Sequence, residues 1–417
     1  MWAALIILLV LVLLPVGRSA EVAVAIGALA GLAFAWRERA SLWANHGVRL
    51  ATILFACYWL PALISAFGAV APEKSWSTVA ILLRFFPFVI FTCLMLRDAA
   101  IWPRIVDTVA MIVVLWLLDA WVQIFTGYSL AGASDAGRLS GIFGAENLKL
   151  GPVLAVLSPF LLAAAGARFG WRGLVVAFVF ALMPILFAGS RAAWWMYALV
   201  TMVFVWRQTR APLHFAMWGM GAACLVAFAA LVALHDSSAF AARVQRSLLA
   251  MQGSEHALDE AAAGRLRIWG TASRMIVAHP LAGVGVRGFR YAYPAFARPG
   301  DAFVDAKTGE GAAHAHQLVL EVLSETGIVG LAFWIIGAAC AIRAWRRAGT
   351  PARERAFAPG LALAAMCFPL NTHLAFYSAW WGLLFWWLLA LYCAALAAGD
   401  DDATLEATRP SSGPFFD

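Results

Sequence analysis

Residues 380–398, WWGLLFWWLLALYCAALAA, contain no charged side chain. A helix of about 20 apolar residues spans the hydrocarbon core of a bilayer, where its backbone groups must be bonded within the helix. Similar runs recur along the whole chain of 417 residues, which is 63% hydrophobic and only 13% charged, with a mean hydropathy of +0.81. This composition excludes a soluble globular domain and predicts an all-α polytopic membrane protein.

The apolar runs predict about twelve transmembrane helices and one long interruption. We expect helices 1–9 within residues 1–234, a partly helical loop carrying the site residues at 235–315, helices 10–12 within 316–398, and a disordered acidic tail at 399–417. The predicted spans lie near 2–16, 22–36, 49–69, 77–96, 105–126, 150–166, 173–189, 192–206, 213–234, 316–342, 357–372 and 380–398.

The arginines predict the orientation of these helices. With the N-terminus in the cytoplasm every cytoplasmic loop is basic, as the positive-inside rule requires. Both termini are then cytoplasmic, and the loop at 235–315 faces the outside. The start of the chain has no basic segment, and Arg18 stands where a signal peptidase requires a small side chain, so we expect the first helix to be retained. The cytoplasmic arginines are Arg37, Arg39, Arg97, Arg104, Arg168, Arg172, Arg207, Arg210, Arg343, Arg346, Arg347, Arg353 and Arg355.

A few basic residues on the outer side oppose this pattern, and an anionic ligand would explain them. Arg191 follows Gly189 and Ser190 at the end of a span, and a guanidinium presents a planar fork of donors to phosphate oxygens. The alternative is an interfacial arginine above an aromatic belt. Arg265 opens an amphipathic pattern that stops at Pro280; the alternative is a solvated helix face. Arg138 and Lys149 lie in another outer segment.

Two histidines close the loop, in His314-Ala315-His316-Gln317. Histidine is suited to act as a general base, because its pKa lies near neutrality. In a helix starting near His314 the two rings differ by about 200° in direction, so only one would face a site. On the face of His316, Gly327 and Gly330 would let another helix approach. The alternative is a helix-capping histidine without chemistry.

Several classes of chemistry are disfavoured. The net charge of +7 reflects inter-helix loops and does not indicate nucleic acid binding, and no phosphate-binding loop or dinucleotide fingerprint is present. The histidines and six cysteines lack metal-ligand spacing. We therefore expect no metal, nucleotide or other cofactor. Arg84 lies inside an apolar run and could pair with Asp107 or Asp119.

Four motifs in this order resemble the O-antigen ligase and O-antigen polymerase superfamily of bacterial envelope glycosyltransferases. Gln317 stands where many members have asparagine, and both side chains are amides. The motifs are RLSGIFGAEN at 138–147, GSRAAW at 189–194, HPLAGVG at 279–285, and HQL at 316–318 leading to ETGIVG at 325–330.

The resemblance implies a fold of the membrane-embedded, GT-C-like glycosyltransferase kind in the bacterial inner membrane. It implies metal-independent, inverting transfer of a glycan from undecaprenyl diphosphate to a sugar hydroxyl of lipid A–core, at the periplasmic face. The partners would be these two lipid-linked substrates and membrane lipids. By this resemblance His316 is the expected base, with His314 as the alternative, and Arg191 and Arg265 are expected to bind the diphosphate. Arg138, Arg287 and Lys149 would be supporting charges.

Three other functions stay open from the sequence. A polymerase of the same superfamily would use lipid-linked glycan as donor and acceptor, but polymerases often carry two long outer loops, and one is predicted here. A protein O-oligosaccharyltransferase would have a protein acceptor. A transporter would be supported by broken spans and intramembrane charges such as Arg84 and Asp119.

Overall fold

The computed structural model describes residues 2–133, 138–145, 147–209, 212–236, 245, 264–369, 371–372 and 375–399. Most of the described chain is helical, and it contains one short antiparallel hairpin of β1 (Tyr128–Ser129) and β2 (Gly132–Ala133). The α-helices are α1 (Trp2–Leu13), α2 (Ala20–Arg37), α3 (His46–Ala66), α4 (Pro72–Leu82), α5 (Phe85–Met95), α6 (Trp102–Thr126), α7 (Leu150–Phe187), α8 (Arg191–Thr209), α9 (Pro212–Asp236), α10 (Arg265–Ala278), α11 (Phe289–Phe296), α12 (Leu318–Arg347), α13 (Thr350–Met366) and α14 (Ala379–Ala397).

The predicted class, an all-α polytopic membrane protein, is confirmed, while the count of twelve spans stays a prediction. Trp2–Leu13 and Phe215–Ala227 are apolar but shorter than a span. Predicted spans 150–166 and 173–189 both fall within α7. Within the described ranges, seven helical stretches are long and apolar enough to cross a membrane: Ala20–Arg37, His46–Ala66, Pro72–Met95, Ala99–Thr126, Leu150–Phe187, Leu318–Arg347 and Ala379–Ala397.

Helix α14 forms the centre of the bundle. It is apolar on every side, and a helix of that kind is stable only when it is buried. Nearly all of its side chains are shielded within the protein. Trp387 donates from Nε1 to the Ile7 carbonyl oxygen at 2.7 Å, and the Trp386 ring lies between Phe55, Tyr58 and Phe85. The apolar run at 380–398 therefore organises α1, α3 and α5 around itself.

Two predicted spans, 77–96 and 316–342, are interrupted, and a further break falls between the predicted spans 150–166 and 173–189. α7 is broken at Gly170 and α12 at Gly327, whose positive φ angles of 59° and 67° are conformations that glycine adopts without a steric penalty. The span predicted at 77–96 is divided between α4 and α5. There Arg84 forms two hydrogen bonds of 2.8 Å to the Glu21 carboxylate. The predicted pairing of Arg84 with Asp107 or Asp119 is wrong, because Arg84 instead faces α2.

The described part of the predicted loop has a small core of its own. Helices α10 and α11 pack around buried apolar side chains that include Ile268, Met275, Phe289 and Tyr293, and these form a cluster separate from the bundle core. We call residues 264–316 the lobe. Residues 237–244 and 246–263 of the predicted loop, and the predicted tail from residue 400, lie outside the described residues.

Candidate active site

The histidine pair does not lie on a helix, so this part of the sequence prediction is wrong. α12 begins at Leu318, because the Gln317 side chain accepts a hydrogen bond from the Leu320 N–H and caps the helix. His316 has a φ of 53°, and among the described residues only His316 and Arg287 combine a positive φ with a side chain. This turn brings the two imidazole rings to 3.9 Å between centroids. The two rings can therefore face the same site, which the predicted helix would not have allowed.

The hydrogen bond of His316 decides which ring nitrogen can act as a base. Nδ1 lies 3.1 Å from the carbonyl oxygen of Thr372. A carbonyl oxygen only accepts, so Nδ1 carries the proton and Nε2 keeps its lone pair. Burial lowers the pKa of His316; the bond to Thr372 opposes this, and the charge of Arg265 lowers the pKa further. His316 is therefore neutral at pH 7, in the form that a general base requires.

Arg265 lies beside this histidine because of the way α10 is anchored. Trp269, one turn after Arg265 on the same helix face, donates from Nε1 to the Ala315 carbonyl oxygen at 3.1 Å. Ala315 lies between the two histidines. The bond therefore holds the first turn of α10, and Arg265 with it, against the histidine pair.

Arg265 is grouped with two further arginines. Burial lowers its pKa to about 10, and the charges of Arg191 and Arg138 contribute to this shift. Arg191 is the first residue of α8, and the Leu139 N–H donates to the Phe187 carbonyl oxygen at 3.2 Å, which ties the segment of Arg138 to the turn before Arg191. Because like charges raise one another's energy, a bound anion would stabilise this group. Helix N-termini at Arg191 and Arg265 also favour an anion.

The other two predicted supporting charges have different surroundings. Lys149 lies with its ammonium 4.0 Å from the ring centroid of Trp380, and burial lowers the pKa of Lys149. The backbone N–H of Arg287 donates to the Glu325 carboxylate at 2.8 Å, and the charge of Arg287 acts on Glu321 and Glu325. The structure thus joins Arg138, Arg191, Arg265 and His316, whereas Arg287 belongs to a neighbouring network.

The sequence interpretation overlooked the two glutamates of that network. Glu321 and Glu325 are one turn apart on α12 and both are completely buried. Charged residues inside an apolar helix are costly and are functional candidates for that reason. Their spacing of four residues within an otherwise apolar run was the signal that could have identified them.

The glycine-rich turn after α10 packs into the break of α12. The Ile328 N–H donates to the Pro280 carbonyl oxygen at 2.9 Å, and the Val284 N–H donates to the Ser324 carbonyl oxygen at 2.8 Å. The backbone that approaches Gly327 is therefore this turn. The sequence had suggested that another helix would approach there. It connects the lobe rigidly to the helix that follows His316.

Alanine at position 327 is expected to destabilise the protein. Its Cβ atom would lie 2.1 Å from the Leu281 carbonyl oxygen, at a φ of 67° that itself costs alanine about 1–3 kcal/mol. Thermal unfolding in detergent should show a clear loss of stability for Gly327→Ala. Gly349→Ala is the matched control, since its Cβ would meet only Pro351 at 3.8 Å. Equal stability of the two variants would show that the turn does not require glycine at 327.

An apolar cavity of about 520 Å³ lies between α3, α12, α13 and α14. Its wall runs from Trp345 and Arg346, near the end of α12, to Pro369 and Phe376. Pro369 is also bonded to the site, because its carbonyl oxygen accepts a hydrogen bond from Gln317 at 3.2 Å. The cavity thus runs alongside the bundle and ends close to the residues around His316.

Comparison with known proteins agrees with this arrangement. The helical bundle is that of a polytopic membrane protein. Residues 176–335 match the family model described as O-antigen ligase, and this match suggests a glycosyltransferase-like membrane enzyme. The match contains Arg191, Arg265, Arg287 and both histidines, whereas Arg138 and Lys149 lie before it. Comparison with curated proteins finds no match.

Proposed function

We propose that the protein is an O-antigen ligase of the bacterial inner membrane, with both termini in the cytoplasm and the lobe in the periplasm. It would transfer a glycan from undecaprenyl diphosphate to a sugar hydroxyl of lipid A–core. The observation that carries this proposal is His316, neutral and with its Nε2 lone pair available, beside the group of Arg265, Arg191 and Arg138.

In the proposed reaction one bond forms as another breaks. The acceptor hydroxyl oxygen attacks the anomeric carbon of the glycan, and its proton passes to Nε2 of His316. The bond between the anomeric carbon and the diphosphate oxygen breaks, and the electron pair leaves with the diphosphate. Arg265, Arg191 and Arg138 stabilise the negative charge that develops there. Direct displacement inverts the anomeric configuration.

A transfer assay with purified protein tests this function. Undecaprenyl-diphosphate glycan and rough lipopolysaccharide would be mixed with the protein in EDTA, without nucleotide. We expect a ladder of glycan-capped lipopolysaccharide on a gel. Polymerised lipid-linked glycan in place of the ladder would indicate the polymerase, and glycan joined to a protein would indicate the oligosaccharyltransferase. Movement of glycan across vesicles without a new bond would indicate a transporter.

We further propose that the apolar cavity holds the polyprenyl chain of the donor, since its wall ends at Pro369, which is hydrogen-bonded to Gln317 next to His316. Ala364 lies exposed in that wall. Ala364→Trp would fill the cavity and is expected to raise KM for the undecaprenyl donor about tenfold, while a short-chain donor analogue is unaffected. Ala339→Trp, on α12 and exposed outside the cavity wall, is the matched control. Equal kinetics for both variants would place the chain elsewhere.

A further inference from the structure

Phe376 is held from two sides at the entrance to α14. Its N–H donates to Oε1 of Glu321 at 2.8 Å, and its carbonyl oxygen accepts a hydrogen bond from the Tyr58 hydroxyl at 2.7 Å. The rings of Tyr58 and Phe376 lie 4.8 Å apart. All three residues are buried, so water cannot replace either bond.

The same segment supplies the bond that orients His316. Thr372, whose carbonyl oxygen accepts from Nδ1 of His316, precedes Phe376 by four residues. Four residues span at most about 14 Å, so the position of Phe376 limits where the Thr372 carbonyl can lie. On the other side, the Asn371 N–H donates to the Phe368 carbonyl oxygen at 2.8 Å. The Thr372 carbonyl is therefore within short covalent reach of two fixed points, Asn371 and Phe376.

A buried carboxylate is a costly way to hold one backbone N–H. Glu321 lies one turn before Glu325, which is also fully buried, and the charged group that acts on both is Arg287. The carboxyl group of Glu321 can accept a hydrogen bond from this N–H whether or not it carries a proton. This hydrogen bond attaches α12 directly to Phe376, four residues after Thr372.

We propose that Glu321 is a positioning residue for the catalytic base. By holding the N–H of Phe376, it fixes the segment whose Thr372 carbonyl accepts the Nδ1 proton of His316, and so keeps the imidazole in the tautomer with Nε2 free. This inference rests on the proposed function insofar as His316 is the base of the transfer reaction.

The kinetic test compares three variants of the full-length protein. Glu321→Ala is expected to lower kcat on the order of 100-fold, the scale of a misplaced reacting group, with KM for the lipid-linked donor within about twofold because the arginines are unchanged. Glu321→Gln keeps an oxygen acceptor and should restore most of kcat. Tyr58→Phe removes the second bond to Phe376 and should lower kcat in the same way. The control is Tyr197→Phe, which removes a buried hydroxyl bond of 2.9 Å to the Phe178 carbonyl oxygen on α7, away from the site.

The pH dependence of kcat distinguishes a positioning role of Glu321 from a general loss of structure in the variants. The bond to Thr372 raises the pKa of His316, while burial and Arg265 lower it and the ring of His314 lies alongside. Loss of that bond in Glu321→Ala should therefore shift the acid limb of kcat to lower pH. An unchanged limb and unchanged kcat in both Glu321→Ala and Tyr58→Phe would overturn the proposal.

A readout without catalysis separates this inference from the proposed function. In protein labelled with ¹⁵N-histidine, the resonances of His316, assigned with His316→Gln, should show a protonated Nδ1 and an unprotonated Nε2. Glu321→Ala and Tyr58→Phe should give a mixture of tautomers, whereas Tyr197→Phe should not. If the wild-type protein makes no product but the tautomer depends on Glu321, the reaction is wrong and the positioning stands. A tautomer that is the same in all variants overturns the positioning.

Discussion

His316→Gln is expected to lower kcat by about 10³-fold, within the range that a general base contributes. Glutamine is similar in size and its amide nitrogen can still donate to the Thr372 carbonyl oxygen, but it cannot take a proton from the acceptor hydroxyl. KM for the donor should change little, because Arg265 and Arg191 are retained. The measurement is the initial rate of capped lipopolysaccharide formation at saturating substrates.

His314→Gln is the matched control for this prediction. The two rings lie 3.9 Å apart, so both variants remove an imidazole from the same place. We expect His314→Gln to retain much more activity, since the bond to Thr372 and the charge of Arg265 act on His316. If His314→Gln is inactive while His316→Gln is active, the roles are reversed and His314 is the base.

The pH dependence of the wild-type protein follows from the same surroundings. Burial lowers the pKa of His316 below its ordinary value of 6.5, and Arg265 adds to this effect. Only the neutral imidazole accepts a proton, so kcat should be constant at neutral pH and fall as the pH drops through this lowered pKa. An acid limb centred above pH 6.5 would contradict the assignment of His316 as the base.

The fold class could be predicted from the sequence because burial in lipid leaves an unambiguous pattern. Long apolar runs such as 380–398 require helices, and α14 is found there. The divisions within runs were harder to predict. The break of α7 at Gly170 coincides with the arginine-bearing loop predicted between two spans. Gly327, in contrast, interrupts a predicted span whose apolar character resumes directly after the break, because hydropathy reports the environment of a segment and not its backbone angles.

The site was only partly predictable for a related reason. The arginines and histidines were identified by residue type and position, but their grouping depends on bonds between distant segments, such as Trp269 to Ala315. The positive φ of His316 and the cap at Gln317 moved the pair off the helix, and no periodicity predicts such a turn. Arg287 carries the same charge as Arg265, yet backbone geometry directs it toward Glu325 instead.

Arg265→Gln is expected to lower kcat/KM by about 10²–10³-fold, the usual loss when one group that stabilises a developing negative charge is removed. Arg265→Lys should recover part of this, because lysine keeps the charge but not the planar fork that binds two phosphate oxygens. The matched control is Arg267→Gln, which removes the same charge two residues later on an exposed face of α10. We expect the control to stay within about threefold of wild type.

Substitution of Arg265 should also change the pH dependence of kcat/KM. This change would distinguish the position of Arg265 beside His316 from a general requirement for positive charge. Its charge lowers the pKa of His316, so Arg265→Gln should raise that pKa and shift the acid limb of kcat/KM to higher pH. Arg191→Gln, whose charge acts on Arg265, should lose activity with a smaller shift. Full activity of Arg265→Gln would show that Arg265 does not stabilise the leaving diphosphate. A large loss without any shift in the acid limb would show that the charge of Arg265 does not act on His316. An upward shift together with the loss would show that one guanidinium both stabilises the leaving diphosphate and keeps the neighbouring histidine neutral.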